Sequence, residues 1–184
     1  MNINAVIDFP SGSKMIVIEN FFDQHMLSAI NQRFLLPHEQ WSAVGDFAHH
    51  NGRLVYQQSD SVNQDIANHS RAVCGEIQQV IGHTVQYQSH DLWLDLPGYE
   101  IKPHTDQPHY PDVALQIYMG EPHKVWEMLG FCIYDQNLKP LFEMHYRVNC
   151  GYILLHPDRV MHGLNHRIPD AFVRQSVYVR YQLC

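Results

Sequence analysis

The sequence predicts a mostly β protein with flanking helices, an α+β chain whose jelly-roll or barrel carries helices on its outside. Three observations support this. From Thr84 onward, short β-branched and aromatic runs alternate with turn residues, giving about eight candidate strands in roughly 100 residues. Two stretches with apolar residues at helical spacing precede them. The last run, Phe172–Leu183, alternates with period two. Val173, Val177 and Val179 share one set with Gln175; Arg174, Ser176, Tyr178 and Arg180 form the other. A face carrying Arg, Ser and Tyr suits the wall of a polar pocket better than a plain core.

Taken in order, Lys14–Glu19 (KMIVIE) is β-branched and reads as a strand. Asp23 is placed to cap a helix over Gln24–Leu35, with Met26, Leu27, Ile30 and Phe34 at helical spacing and Pro37 beyond its end. Asn51-Gly52-Arg53 reads as a hairpin turn before Leu54-Val55-Tyr56. A second helix is expected from about Ser61 to Ile81, where Ile66, Val73, Ile77 and Val80 form a stripe and Gly82 caps the end. The strands that follow are Val85–Gln88, Asp91–Leu96, Val113–Met119, Gly130–Tyr134, Glu143–Val148, Tyr152–Leu155, Met161–His166 and Phe172–Leu183. Pro97-Gly98, Pro111-Asp112, Gln136-Asn137, Pro157-Asp158 and Pro169-Asp170 punctuate them. With no repeat, linker or low-complexity tract, residues 1–184 read as one domain, 1–83 supporting a β core over 84–184.

Composition narrows the function. A net charge of −7 argues against a nucleic-acid backbone or an anionic membrane as main partner. No apolar run approaches the ~18 residues of a spanning helix, and the start lacks the basic-then-apolar pattern of a signal peptide. Cys74, Cys132, Cys150 and Cys184 contain no CxxC pair, so a disulfide framework is not expected and a cytoplasmic setting is.

Fourteen histidines are the unusual feature. Two His-x-Asp pairs occur, His104-Thr105-Asp106 and His156-Pro157-Asp158, where random placement of 14 His and 12 Asp in 184 positions gives about one. Spacing i,i+2 puts both side chains on one face of an extended segment, two adjacent corners of a metal site. Non-haem Fe(II) oxygenases use two His and one carboxylate on one octahedral face, leaving three positions open. For His104 and Asp106, His162 lies 58 residues on (162 − 104), with strands between to carry the chain around a barrel. For His156 only a short tail remains, and Pro157-Asp158 reads as a turn. His166 competes with His162 for the distal position, four residues further along. Arg174, twelve residues past His162 and on the same strand face as Ser176, favours His162. A planar bidentate guanidinium suits the far carboxylate of a dicarboxylate that chelates a metal by its other end.

These residues resemble the Fe(II)/2-oxoglutarate-dependent oxygenase superfamily, and within it the prolyl-4-hydroxylase-like branch. The resemblance rests on Pro97–Asp106 (PGYEIKPHTD), Leu115–Gly120 (LQIYMG), Val160–Gly163 (VMHG), Arg174–Ser176 (RQS) and the lead-in Ile16–Phe22 (IVIENFF); residues 36–83 match nothing. It implies a double-stranded β-helix (jelly-roll, cupin-like) core, Fe(II) on His104, Asp106 and His162, and 2-oxoglutarate on Arg174 with help from Ser176. It also implies O2 as co-substrate and a dioxygenase that hydroxylates a C–H bond, with succinate and CO2 as co-products. In that branch the strand after the metal pair carries a Tyr against the co-substrate. Tyr118 or Gln116, two apart on one face, fits that place, and the sequence leaves open which face points inward. The prolyl hydroxylases proper often have Lys where this chain has Arg174, so a collagen-type substrate is not implied.

Gln107, His109 and Tyr110 follow the metal pair and are candidates for a pocket mouth, while Trp93 and Trp126 read as core or rim. Arg180 lies some 20 Å along the strand from Arg174 and is expected outside the metal pocket. The expected substrate is an amino acid, a peptidyl side chain or another small molecule. Two other classes share the fold: a cupin-type metal enzyme without 2-oxoglutarate, usually with three His and a Glu, and a jelly-roll binding protein without catalysis.

Overall fold

A computed structural model describes residues 1–44, 52–108, 111–121 and 129–184. The strands, in chain order, are β1 (Asn2–Asp8), β2 (Lys14–Glu19), β3 (Ser42–Ala43), β4 (Arg53–Tyr56), β5 (Val85–Asp95), β6 (Val113–Tyr118), β7 (Cys132–Tyr134), β8 (Pro140–Glu143), β9 (Cys150–Leu155), β10 (Met161–Gly163) and β11 (Arg174–Leu183). The helices are α1 (Gln24–Phe34), α2 (Ser61–Ala72) and α3 (Cys74–Ile81). An eight-stranded antiparallel sheet runs β1-β2-β9-β6-β11-β5-β4-β3, and a smaller sheet runs β10-β7-β8. This is the jelly-roll core expected from the strand count, with helices on one side.

The two faces of the large sheet feed two different cores. Leu115 and Ile117 of β6, Ile153 of β9, and Val177 and Val179 of β11 pack with Ile30 and Phe34 of α1, Ile66 of α2 and Ile77 of α3. Their alternates Ala114, Tyr118, Tyr152, Leu154 and Tyr178 pack with Phe131, Ile133, Met144 and Leu164, on the side of the small sheet. Period-two alternation therefore sends each strand's apolar residues both ways, so β6 and β9 are buried along their whole length. The four cysteines are free thiols, as expected. No helix among the described residues is long and apolar enough to cross a membrane.

Several elements match the sequence reading. Asp23 caps α1, its Oδ1 accepting the Met26 N–H at 2.8 Å. Gly82 takes the left-handed conformation at φ 80° and closes α3. Others differ. The expected long helix breaks at Val73, which caps α2 and opens α3, yet the expected stripe holds across the break: Ile66, Val73 and Ile77 are buried in one core and Val80 packs against it. Val85–Gln88 and Asp91–Leu96 are one strand, because β11 pairs with β5 along its full length past an irregularity at Arg180/Tyr181. The strand expected over Glu143–Val148 lies earlier, at Pro140–Glu143, where it pairs with β7. Strand β1 was not among the expected strands; Ile3, Ala5 and Ile7 alternate in it, but the run is short, lies at the sheet edge and is almost wholly exposed. Gly52, at φ 93°, precedes β4 as a turn residue; Asn51, His109, Tyr110 and Trp126 lie outside the described residues.

Candidate metal centre

After β5 the chain turns at Pro97-Gly98, where Gly98 has φ 86° and a Cβ would lie 2.5 Å from Arg167 Nη2. From there residues 98–104 run beside residues 162–168. Gly98 N–H donates to Ile168 O, Ile168 N–H to Tyr99 O, and Leu164 N–H to Ile101 O. The run ends in a reciprocal pair: His104 N–H to His162 O at 2.9 Å and His162 N–H to His104 O at 2.8 Å. On its other side β10 pairs with β7, His162 opposite Ile133. Gly163 is needed for this fit, since a Cβ there would sit 2.8 Å from the Ile101 carbonyl oxygen.

Main chain also fixes both imidazoles. His104 Nδ1 lies 2.9 Å from Lys102 O, and His162 Nδ1 lies 2.9 Å from Val160 O. A carbonyl only accepts, so each Nδ1 carries a proton, and in the neutral ring Nε2 is left with the lone pair that a metal needs. The His162 ring is held from behind by Phe131, stacked at 5.2 Å. Asp106 Oδ1 stands 3.6 Å from His104 Nε2 and 3.4 Å from His162 Nε2. Three acceptors thus converge, all within 4.8 Å of one another, as only a cation or an added proton allows. Ligands at right angles on ~2.1 Å bonds stand roughly 3 Å apart, so the set closes on a metal with small movement. Burial works against the Asp106 carboxylate, but hydrogen bonds and charge from His104 and His162 prevail and hold it below the usual carboxylate range.

The other histidines stand elsewhere. His156 takes a left-handed conformation at φ 54° and leads a 3-10 turn over Pro157–Arg159, the turn that the sequence predicted. His166 lies at the surface beside Glu143 and Asn165.

The three candidate ligands, His104, Asp106 and His162, open onto a cavity of about 750 Å³, lined also by Arg53, Trp93, Gln116, Arg174 and Arg180. Arg174 is 1% exposed. Its Nε donates to Leu129 O at 2.9 Å and its Nη1 to Asp95 Oδ2 at 2.5 Å, while Nη2 lies 3.5 Å from Gln116 Oε1. Burial opposes the charged guanidinium, but Asp95 outweighs it and raises the pKa further. Gln116 and Tyr118 both face inward. Gln116 donates to Ser176 Oγ at 2.9 Å and accepts from the Tyr152 hydroxyl at 2.9 Å. Tyr118 accepts the Phe131 N–H at 2.7 Å, with the Arg174 guanidinium 5.0 Å from its ring centre. Gln116 reaches the cavity wall, whereas Tyr118 and Ser176 lie fully buried behind it.

Arg180 corrects one expectation. It is far along β11 from Arg174, yet it lines the same cavity, paired with Asp91 at 2.7 Å, because the cavity follows that strand face. Trp93 and Gln107 line it too; Trp93 stacks on Tyr178 at 4.1 Å. Sequence reasoning missed Asp95 and Arg53. Asp95 shares a face with Asp91 and Trp93 in a strand, a visible alternation, but Arg53 has no local signal.

Solved structures of Fe(II)/2-oxoglutarate oxygenases share this fold. A prolyl hydroxylase from Trichoplax adhaerens, in complex with a hypoxia inducible factor peptide fragment, superposes with TM-score 0.71 at 13% identity, over 91% of this chain and 83% of that one. A Pseudomonas putida prolyl-4-hydroxylase gives TM-score 0.64 at 12% identity, covering 91% of each chain. HygX from Streptomyces hygroscopicus, with nickel, 2-oxoglutarate and hygromycin B bound, gives 0.61 at 14% identity, over 91% and 82%. No protein-family model matches the chain, and no curated protein matches it by sequence.

Proposed function

We propose that the protein is an Fe(II)- and 2-oxoglutarate-dependent dioxygenase acting on an amino-acid, peptidyl or other small substrate, with residues 1–184 as one oxygenase domain. The observation that carries this is the convergence of His104 Nε2, His162 Nε2 and Asp106 Oδ1 on a cavity that also holds the buried Arg174. The donor set fits Fe(II): two imidazoles and one carboxylate on one side, with the cavity on the other. Among the described residues this is the one group of three His, Cys, Asp or Glu close enough to share an ion, and it lacks the third His and the Glu of the cupin-type alternative.

Iron bound there supplies the coupling of O2-dependent decarboxylation of 2-oxoglutarate, to succinate and CO2, with hydroxylation of a C–H bond. The chain's residues supply position. Lys102 and Val160 carbonyls hold the imidazoles in the ligating tautomer. Arg174 grips the distal carboxylate of 2-oxoglutarate, and Gln116, tied to Ser176 and Tyr152, borders it. Phe131, Tyr152 and Tyr178 line the cavity with aromatic rings beside the candidate ligands. The relatives crystallised with a peptide fragment and with hygromycin B support a peptidyl or small-molecule substrate for this fold. The test is anaerobic addition of Fe(II) and then 2-oxoglutarate, followed by visible absorption. A metal-to-ligand charge-transfer band is expected; its absence with folded, iron-loaded protein overturns the reading.

A further inference from the structure

Three adjacent strands place three charges in a row. Arg53 of β4 stands opposite Asp95 of β5, and Asp95 stands opposite Arg174 of β11. Asp95 Oδ1 accepts from Arg53 Nε at 2.6 Å; its Oδ2 accepts from Arg53 Nη2 at 3.1 Å and from Arg174 Nη1 at 2.5 Å. Arg53 is 5% exposed, Asp95 0% and Arg174 1%. Two guanidiniums and one carboxylate leave a surplus of one positive charge on buried side chains at the cavity wall, a state that an added anion relieves. Arg53 is further locked by two rings, its guanidinium carbon 3.9 Å from the centre of Trp93 and 4.7 Å from that of Tyr99.

Arg174 alone does not explain this row. An Arg174–Asp95 pair by itself is neutral and has little call for a further carboxylate. Arg53 engages Asp95 through two nitrogens, so the row keeps its surplus. Asp95 takes Nη1 of Arg174 and the Leu129 carbonyl its Nε, leaving Nη2 with a 3.5 Å contact to Gln116, and the Tyr118 side chain is a further partner of the guanidinium.

We propose that Arg53 and Asp95 are positioning residues for the distal carboxylate of 2-oxoglutarate: Asp95 orients Arg174, and Arg53 keeps Asp95 from cancelling its charge. This rests on the co-substrate reading above. Arg53 lies in the stretch where the sequence resembles no family pattern, so this device belongs to the chain's own tertiary structure.

The test is calorimetric titration of 2-oxoglutarate into the Mn(II)-loaded protein, with Mn(II) affinity and melting temperature measured separately. Arg53→Gln is expected to weaken 2-oxoglutarate binding by about tenfold or more and to leave Mn(II) affinity within about twofold. Arg53→Lys keeps the charge and is expected to stay within about threefold of the wild type. The deciding variant is Arg53→Gln with Asp95→Asn. It restores the surplus charge through Arg174 alone, so it is expected to bind 2-oxoglutarate more tightly than Arg53→Gln, although it is further from native packing. Unchanged binding in Arg53→Gln, a Lys variant as weak as the Gln variant, or a double variant no better than the single one overturns the inference. Wild-type protein that binds Mn(II) but not 2-oxoglutarate overturns the co-substrate reading instead.

Discussion

His104 and His162 are joined by their main chains, each N–H donating to the other's carbonyl, and their rings lie 4.6 Å apart. Two side chains distant in sequence are thereby set at a distance that two hydrogen bonds fix, before any ion arrives. Asp106, two residues beyond His104, completes the group.

Replacing one candidate ligand should therefore weaken metal binding severely without undoing the fold. His162→Ala is expected to lower Mn(II) affinity by at least about a hundredfold, beyond the 10–100-fold typical of outer-shell changes. Circular dichroism should show the β signature retained, since the main-chain pairing with His104 does not need the ring. Mn(II) titration followed by calorimetry checks the first part.

Gly163→Ala tests the closeness of the two segments. The new Cβ would meet the Ile101 oxygen at 2.8 Å and the Lys102 oxygen at 3.0 Å, both main chain. Displacing Lys102 moves the carbonyl that holds His104 Nδ1. A loss of about 1–3 kcal/mol in stability is expected, together with weaker Mn(II) binding. Unaltered melting and metal affinity would show that the segments have slack.

Arg174→Ala should act on the co-substrate and spare the metal. The concentration of 2-oxoglutarate needed for half-maximal succinate formation is expected to rise by about a hundredfold or more, since a buried positive charge and its donor are lost. Mn(II) affinity should stay near the wild-type value. An unchanged 2-oxoglutarate requirement would remove Arg174 from the site.

Asp95 gives a pH dependence of stability. Burial pushes its carboxyl pKa up, but Arg53 and Arg174 prevail and hold it below the ordinary range. A carboxyl with a lower pKa folded than unfolded stabilises the fold above its unfolded value of ~3.9, and loses that contribution as pH falls toward the folded value. The melting-temperature advantage of wild type over Asp95→Asn should be level from about pH 8 to 5 and shrink below about 4. A difference that stays level down to about pH 3 would show that Asp95 stabilises the fold without its charge.

Much of the metal centre was legible because its cues are local. The i,i+2 spacing of His104 and Asp106, and the alternation that puts Arg174 and Ser176 on one face of β11, are properties of extended chain whatever surrounds it. The same alternation explains why Gln116 and Tyr118 face one way. It could not say which way, because that depends on which side of β6 meets the helices. The break at Val73 was hidden for a related reason: apolar residues continue through it, and only packing decides where a helical stripe bends.

The sequence by itself determined the class of fold, the pairing of His104 with Asp106 as candidate ligands and the strand that carries Arg174, since each follows from periodicity and side-chain chemistry over a few residues. Only the tertiary structure decided that His162 rather than His166 meets them, through the main-chain bridge to His104. It also decided that Arg180 shares the cavity with Arg174 and that Arg53 reaches Arg174 through Asp95. Those relations join residues up to 121 positions apart (174 − 53) across neighbouring strands, and strand order and register, not local spacing, determine which distant charges meet.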